Sequence, residues 1–345
     1  MIRNQRSVLI IYTGGTIGMI ENADSGVLES FNFQHLLLQV PELRRFNYDI
    51  SSIQFDPPMD SSDMEPEAWG KLVGIIAEHY HRFDGFVILH GTDTMAYTAS
   101  ALSFMLENLA KPVILTGSQL PIGMLRTDGK ENLITAIEIA AAHENGKPIV
   151  QEVGVFFENS LFRGNRTSKL NAEHFNAFRS MNYPPLAHAG VHIRYDYNAL
   201  YHHQTVRPLK PHYLLDPHVV ILKLFPGISP DIVDAVLNIP QLKGVVLETF
   251  GMGNAPRKEW FIQKLKDAIA RGIVIMNVTQ CVSGRVEMEK YTTGSTLMEI
   301  GVVNGYDSTT ESAVTKLMFL FGHNLAPDEV KEHLECSLIG EITVQ

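Results

Sequence analysis

A threonine follows two glycines near the start of the chain, at the point where an apolar run ends. The stretch TGGT (Thr13 to Thr16) comes just after SVLII (Ser7 to Ile11). Consecutive glycines permit positive φ angles and close backbone approach, so a turn can present the Thr16 hydroxyl beside inward-pointing amide N–H groups. This arrangement suits a nucleophile. A threonine in an isolated GGT more often caps or ends a turn, and that interpretation stays open at this point.

A second hydroxyl and a carboxyl group are adjacent in the stretch HGTDT (His90 to Thr94), at the end of the apolar run FVIL. Thr92 and Asp93 are therefore candidates for the same chemistry. The alternative is equally common: one of them caps the helix that begins near Thr94.

A hydroxyl nucleophile needs a proton acceptor, and a lysine can serve when its surroundings favour the neutral amine. Lys169 closes the stretch RGNRTSK (Arg163 to Lys169), in which three cationic side chains lie close together. A lone lysine in such a loop is usually solvated, so this motif carries little weight by itself.

Two further polar stretches lie where loops are expected, MDSSDM (Met59 to Met64) and TGSQLP (Thr116 to Pro121). In open α/β sheets, ligands bind at the carboxyl ends of the strands. Four such loops rich in Gly, Ser, Thr and Asp therefore indicate a site at one edge of a sheet.

Other site types fit less well. The stretch GGTIG lacks the spacing of a dinucleotide or phosphate loop, and no G-x-S-x-G motif occurs. Paired histidines, His79 with His81 and His202 with His203, have no carboxylate or cysteine at zinc spacing, so no metal is expected. The two cysteines, Cys281 and Cys336, are too few for a disulfide framework.

Short β-branched runs alternate with segments of helical period, which predicts an α/β protein with a largely parallel sheet. The sequence predicts domains at residues 1–190 and 217–345, joined by a Pro- and His-rich linker at 191–216. Predicted strands are Val8 to Tyr12, Phe86 to His90, Val113 to Thr116, Val153 to Phe157, Val219 to Leu224, Gly244 to Glu248 and Ile273 to Val278. Helices are predicted from the spacing of Trp69, Leu72, Val73, Ile76 and Tyr80, of Met95, Ala99, Leu102 and Leu109, near Glu131 to His143, near Pro230, from about Arg257 to Arg271 and after Thr309.

Charge and hydropathy limit the partners. The formal net charge of −10 leaves no basic stripe, so nucleic acid and anionic membranes are not expected partners. No apolar stretch approaches the ~20 residues of a membrane span. With no cleavable leader apparent, a cytoplasmic protein acting on a small molecule is expected.

Six stretches occur in order along nearly the whole chain: YTGGTIGM, MDSSDM, GFVILHGTDTMAYTASALSFMLENL, VILTGSQLP, LFRGNRTSK and FGMGNAP. Together they resemble the bacterial cytoplasmic (type I) L-asparaginases. The resemblance is specific because it joins two separate threonine motifs to a lysine motif. It implies a larger N-terminal domain with a mixed, mostly parallel sheet and a smaller flavodoxin-like C-terminal domain. It also implies homodimers or homotetramers.

The implied activity is hydrolysis of the side-chain amide of L-asparagine to L-aspartate and ammonia, without a cofactor or metal. By resemblance, Thr16 attacks the amide carbon and forms a β-aspartyl ester. Lys169 accepts or relays the proton, with Asp93 alongside. Thr92 aligns either Thr16 or the hydrolytic water, and the sequence leaves that choice open.

Substrate contacts follow from the charges of a free amino acid. Asp93 is expected to pair with the substrate ammonium. Ser61, Ser62 and nearby loop N–H groups are expected to receive the carboxylate, with Asp60 in the same loop. Asn254, in GMGNAP, is a candidate contribution from a partner subunit or, equally, an ordinary turn residue.

Two departures from the family pattern stand out. Where several members carry a catalytic-loop tyrosine, this chain has Val27 in DSGVLES. The resemblance also implies a possible effector site for a second asparagine. Its residues here are Glu248, Thr249 and Phe250 in LETFG, with Thr279 and Cys281 in NVTQCVSG. Glu248 replaces an arginine and should repel the effector's carboxylate, so the same activation is not expected.

Two alternatives remain. One is a glutaminase or amidotransferase-type amidase of the same superfamily, since one methylene contributes only about 1–3 kcal/mol to discrimination. The other is a sensor that binds asparagine or aspartate without turnover, which would not need the set Thr16, Thr92, Asp93 and Lys169.

Overall fold

The computed structural model describes residues 5–21, 28–30, 40–203, 205, 207–290 and 292–344. The chain divides into two compact units, Met1–Tyr213 and Leu214–Gln345. Val27, at the position where the family tyrosine was expected, lies outside the described residues. Among those that are described, no helix is both long and apolar enough to cross a membrane.

The first unit is built on an eight-stranded sheet, which confirms the α/β prediction. Its described strands are β1 (Arg6–Tyr12), β2 (Met19–Glu21), β3 (Leu28–Ser30), β4 (Tyr48–Gln54), β5 (Gly85–Leu89), β6 (Leu106–Glu107), β7 (Val113–Thr116), β8 (His143–Glu144), β9 (Lys147–Pro148), β10 (Val153–Phe157), β11 (Ser160–Arg163), β12 (Ser168–Lys169), β13 (Phe178–Arg179), β14 (Ala187–Ala189), β15 (Ile193–Tyr195) and β16 (Lys210–Pro211). The large sheet has the order β15-β14-β11-β10-β7-β5-β1-β4.

Strands β4, β1, β5, β7 and β10 of this sheet run parallel, and β11, β14 and β15 add an antiparallel side. The sheet is therefore mixed and mostly parallel, as the family resemblance implied. Central strands β5, β7 and β10 are buried along their whole length, which explains their unalternated apolar sequences.

The described part of this unit contains three long helices: α1 (Pro66–His79), α2 (Met95–Met105) and α3 (Gly129–Ala141). In α1, Trp69, Leu72, Val73 and Ile76 are buried at helical spacing, as predicted. Almost every residue of α2 is buried, so this helix lies inside the unit.

The segment 191–216, predicted as a linker, contains two short strands. β15 is the last strand of the large sheet, and β16 pairs with β6. Ala199 and Leu200, which lie between these two strands in the sequence, are buried. Strands of two or three residues are too short to leave a periodic pattern, so they could not be predicted from the sequence. The domain boundaries at 190 and 217 stay a prediction.

The second unit has a four-stranded parallel sheet in the order β17 (Val219–Lys223), β18 (Gly244–Thr249), β19 (Val274–Thr279) and β20 (Val303–Asn304). Its described helices are α4 (Pro230–Leu237), α5 (Glu259–Ala270), α6 (Thr292–Glu299), α7 (Thr310–Gly322) and α8 (Pro327–Leu334). Ser229 caps α4, and Thr309 caps α7 through its side chain. The predicted alternation of strands and helices is confirmed here.

A buried ion pair joins α7 to the C-terminal segment of the second unit. Lys316 and Glu341 are fully buried, and their Nζ and Oε1 atoms are 2.6 Å apart. Burial and the loss of hydration lower the pKa of Lys316, and Glu341 opposes that change. Backbone N–H groups of Leu338 and Ile339 donate to the Glu341 carboxylate. Each buried charge therefore depends on the other to offset its lost hydration.

Lys316→Met should lower the free energy of unfolding by about 3–5 kcal/mol, because it leaves a buried carboxylate without its cation. Lys331→Met, which breaks the solvent-exposed pair with Asp328, is the matched control and should change it by no more than about 1 kcal/mol. Urea unfolding followed by circular dichroism measures both. Equal losses in the two variants would contradict this account of the buried pair.

Candidate active site

The parallel strands bring the predicted loops to one edge of the large sheet. The last residue of β1, Tyr12, pairs in register with Gln54 of β4 and Leu89 of β5, and Leu89 pairs with Thr116 of β7. All four strands therefore end at the same level. TGGT, HGTDT and TGSQLP leave the sheet side by side, and MDSSDM follows β4 by a few residues.

The glycine turn after β1 is closely packed against two of these loops. Gly14 and Gly15 have φ angles of +138° and +93°, a region that favours glycine. A Cβ atom on Gly14 would lie 2.0 Å from the carbonyl oxygen of Met59, and one on Gly15 would lie 2.5 Å from Cα of Gly91. Both positions therefore require glycine, because any side chain would push the loops apart.

Backbone hydrogen bonds hold the same three loops. The Thr13 N–H and hydroxyl both donate to the carbonyl oxygen of Leu89, at 3.0 Å each. The N–H of Met59 donates to the carbonyl oxygen of Thr13 at 2.7 Å. Hydrogen bonds to main-chain carbonyl oxygens thus fix the positions of these loops.

Thr16 is the first residue of a short 3₁₀ helix, Thr16–Gly18, and is partly buried. The N-cap of that helix is Gly15, so Thr16 is not its cap. Thr16 and Thr92 each follow, by one residue, one of the two glycines that pack together, Gly15 and Gly91. The two threonines therefore start from adjacent backbone although 76 positions separate them in the sequence.

Lys169 reaches the second threonine. Its Nζ donates to Thr92 Oγ1 at 2.8 Å and to Asp93 Oδ1 at 2.7 Å. The Lys169 side chain is 16% exposed, whereas that of Asp93 is 65% exposed. The ammonium is thus held by one hydroxyl and one carboxylate, and the carboxylate keeps room for a further cation.

Local packing explains why Lys169 lies there. Strand β12 follows a 3₁₀ turn, Gly164–Arg166, which packs on α2. A Cβ atom on Gly164 would lie 3.1 Å from Cβ of Ala99, so the glycine lets the turn approach the helix closely. The helix that follows Thr92 and Asp93 therefore also supports the lysine that contacts them.

Neither Thr92 nor Asp93 caps α2. The N-cap residue is Thr94, which makes no side-chain capping bond. Its hydroxyl donates instead to the carbonyl oxygen of Ser61 at 2.6 Å. The capping interpretation of HGTDT is therefore wrong, and both side chains are available for the contacts with Lys169.

The MDSSDM loop contributes Asp60, Ser61 and Ser62. Asp60 caps the 3₁₀ helix Ser61–Asp63, and its Oδ1 accepts from the Ser62 N–H and hydroxyl, both at 2.9 Å. These hydrogen bonds lower the pKa of Asp60. Ser61 is buried beside Gly91, where an added Cβ would lie 2.4 Å from the serine Oγ. Ser61 therefore adjoins the Thr92 loop, while Asp60 and Ser62 bond to each other.

Sequence reasoning assigned no role to Gln119, which contacts this group directly. Thr92 Oγ1 donates to Gln119 Oε1 at 3.2 Å, and Gln119 Nε2 donates to the carbonyl oxygens of Ala172 and His174, at 3.1 Å each. The Gln119 N–H donates to Asp128, a carboxyl group whose pKa is raised by burial. The only sequence signal was its place in TGSQLP at a strand end.

The candidate effector residues lie in the second unit. Both carboxylate oxygens of Glu248 are engaged: Oε2 is 3.1 Å from Lys223 Nζ, and Oε1 accepts from the Thr310 hydroxyl at 2.7 Å. Thr249 is buried and donates to Asn277. Thr279 accepts from the N–H of Cys281 at 3.0 Å.

Phe250 and Asn254 face each other across a turn at the end of β18. The N–H of each donates to the carbonyl oxygen of the other, at 2.9 and 2.8 Å. Asn254 thus has the turn position that the alternative interpretation expected. A contribution to a partner's site stays a prediction.

No group of three or more His, Cys, Asp or Glu side chains is arranged to hold a metal ion among the residues that the structure describes. The second histidine pair contacts backbone instead. His202 bonds through Nε2 to the carbonyl oxygen of Tyr197 at 2.8 Å, and His203 to that of Leu109 at 2.6 Å.

Comparison with known families supports the motif-based resemblance. Residues 7–201 match the family profile described as Asparaginase, N-terminal, and residues 218–334 match the Glutaminase/Asparaginase C-terminal domain. The chain is 44% identical to L-asparaginase 1 of Escherichia coli (strain K12), and the match covers 98% of each chain.

Two further proteins are similar over nearly all of this chain. A protein of Mus musculus named 60 kDa lysophospholipase is 40% identical, with 99% of this chain and 63% of that protein covered. The crystal structure of L-asparaginase I from Vibrio cholerae is 41% identical, with a TM-score of 0.89 and coverage of 99% and 100% of the two chains. The chain therefore belongs to the asparaginase family.

Proposed function

We propose that the protein hydrolyses the side-chain amide of L-asparagine to L-aspartate and ammonia. The observation that carries the proposal is the contact of Lys169 Nζ with both Thr92 and Asp93, beside a glycine turn that presents Thr16. Membership of the asparaginase family and similarity to proteins named L-asparaginase support the choice of reaction.

Thr16 is the proposed nucleophile. Its hydroxyl oxygen adds to the amide carbon and gives a tetrahedral oxyanion, and collapse of that oxyanion breaks the C–N bond and leaves a β-aspartyl ester on Thr16. The hydroxyl proton passes through Lys169 and Thr92 to the leaving nitrogen, which departs as ammonia. Water then hydrolyses the ester. N–H groups of the glycine turn and of the Thr92 loop are the proposed donors to the oxyanion.

Asp93 is the proposed site for the substrate ammonium. Its carboxylate is largely exposed and uses one oxygen, Oδ1, for Lys169. A second cation can therefore approach without displacing the lysine. Ser61 and Ser62 are proposed to receive the substrate carboxylate, Ser61 from its position beside Gly91. Asp60 stabilises that loop because its carboxylate accepts the N–H of Ser62 and so caps the 3₁₀ helix.

The first test compares two amides at equal concentrations. We expect ammonia release from asparagine with kcat/KM about 10- to 200-fold above that for glutamine, the discrimination available from one methylene group. A coupled glutamate dehydrogenase assay measures both. Preference for glutamine would favour the amidase alternative, and binding of asparagine without ammonia release would favour the sensor.

A second test addresses the nucleophile. Thr16→Ala should reduce kcat at least about 10³-fold, because no oxygen remains to form the ester. Aspartate binding, measured by calorimetry, should change little. Thr16→Ser is the matched variant that restores a hydroxyl and should recover part of the activity. Asparagine hydrolysis by Thr16→Ala at near the unaltered rate would refute the assignment.

We further propose that a second asparagine does not activate this protein at Glu248. The Glu248 carboxylate already holds Lys223 and Thr310 and would repel another carboxylate. Thr249, Phe250, Thr279 and Cys281 then have no effector to bind. The family resemblance alone supports three further proposals. The protein forms homodimers or homotetramers, Asn254 contributes to the active site of a partner subunit, and the protein is cytoplasmic.

Asparagine saturation tests this proposal. The initial rate should follow a hyperbola with a Hill coefficient near 1 over the whole concentration range. A sigmoidal curve for the unaltered protein that becomes hyperbolic in Glu248→Ala would show that the residue belongs to an activating site after all.

A further inference from the structure

A line of three buried side chains connects two helices to the backbone of the Thr92 loop. Trp69 Nε1 donates to Thr98 Oγ1 at 2.9 Å. Thr98 Oγ1 lies 2.9 Å from His90 Nε2, and His90 Nδ1 lies 2.7 Å from the carbonyl oxygen of Gly91. Trp69 belongs to α1, Thr98 to α2, and His90 directly follows β5.

The hydrogen positions in this line follow from the neighbours. A carbonyl oxygen only accepts, so His90 Nδ1 must carry the hydrogen. Neutral imidazole then leaves Nε2 as an acceptor, and the Thr98 hydroxyl must donate to it. Indole N–H only donates, so Thr98 accepts from Trp69. Every donor and acceptor has one role, and the roles support each other.

The charge state of the imidazole agrees with this assignment. His90 is fully buried, and burial lowers its pKa to about 4. Its hydrogen bond to Gly91 opposes the change only in part. His90 is therefore neutral at physiological pH and holds one tautomer.

The end of the line is the peptide group that leads into Thr92. The peptide bond is planar, so the direction of the Gly91 carbonyl also sets the direction of the Thr92 N–H and the position of its Cα. Close packing against Gly15 and Ser61 restricts where Gly91 lies. The hydrogen bond from His90 adds a constraint on how that peptide is rotated.

We infer that Trp69, Thr98 and His90 are positioning residues, which fix the rotation of the Gly91–Thr92 peptide so that the Thr92 hydroxyl meets Lys169. None of the three is placed against the substrate. The inference rests on the proposed function because it concerns the same threonine. A role in stability alone is the competing explanation, since buried polar side chains commonly stabilise a fold through their hydrogen bonds.

The test replaces Thr98 with the isosteric valine, which removes the hydroxyl and leaves His90 without its donor. We expect kcat for asparagine to fall about 10- to 100-fold, as misplacement of a catalytic group by a fraction of an ångström does. KM should stay within about two-fold, because Asp93 and Ser61 are untouched. Thr98→Ser restores the hydroxyl and should recover kcat.

Ser103→Ala is the matched control. Ser103 is buried on the same helix and donates to the carbonyl oxygen of Ala99 at 2.7 Å, away from His90. It should lower the melting temperature without changing kcat. If Thr98→Val loses melting temperature but keeps the kcat of the unaltered protein, the inference is wrong and the line serves stability alone.

Trp69→Phe decides the matter if Thr98→Val does not fold. It keeps an aromatic ring but removes the indole N–H at the far end of the line together with part of the buried ring system, so some loss of melting temperature and a smaller loss of kcat with unchanged KM are expected. An unchanged kcat would overturn the inference. Failure of the proposed function can be distinguished from failure of this inference. In the first case the unaltered protein itself releases no ammonia from asparagine.

Nitrogen-15 NMR gives a readout that does not depend on turnover. His90 should show a protonated Nδ1 and an unprotonated Nε2 from pH 6 to pH 8 in the unaltered protein. A protonated Nε2 there would contradict the inferred order of donors, whatever the activity.

Discussion

The close packing of two glycine-containing loops is the constraint on which the candidate site depends. Gly14 lies against the backbone of Met59 and Gly15 against that of Gly91, at distances that leave no space for a Cβ atom. These contacts bring the segments after three parallel strands together. Thr16 and Thr92 each follow one of the packed glycines, Gly15 and Gly91, so their backbones start close together because glycine has no side chain.

Lys169 adds a positive charge to this arrangement. Its ion pair with Asp93 differs in burial from the pair of Lys316 with Glu341. Lys316 and Glu341 are fully buried, so their pairing belongs to the stability of the second unit. Lys169 is only 16% exposed but pairs with Asp93, which is 65% exposed, so water screens this pair more than it screens the buried one. The position of Lys169, in contact with both Thr92 and Asp93, is the one that the proposed proton relay requires.

Strands and helices could be predicted from the sequence, but contacts between distant residues could not. The strands around Val8, Phe86 and Val113 could be predicted because buried parallel strands are short apolar runs. That their ends align also follows from parallel pairing. The contact of Lys169 with Thr92 spans 77 positions and was reached only through the family resemblance.

Other features could not be predicted because their signal is not local. Gln119 acquires its partners Ala172 and His174 from a loop 53 and 55 positions away. The bond of His90 to Thr98 is local, but the Trp69 indole that donates to Thr98 lies on another helix, 29 positions from Thr98. In HGTDT, spacing could not distinguish a helix cap from a pair of side chains that contact a lysine. The structure shows that Thr94 is the N-cap residue and that its hydroxyl donates to the carbonyl oxygen of Ser61. The strands between residues 191 and 213 are too short to produce a pattern.

Identification of the esterified hydroxyl tests the central claim most directly. The protein is mixed with asparagine, quenched in acid within a turnover, digested and mapped by mass spectrometry. The account predicts an aspartyl group on Thr16, with Thr92 unmodified. An aspartyl group on Thr92, with Thr16 unmodified, would contradict it.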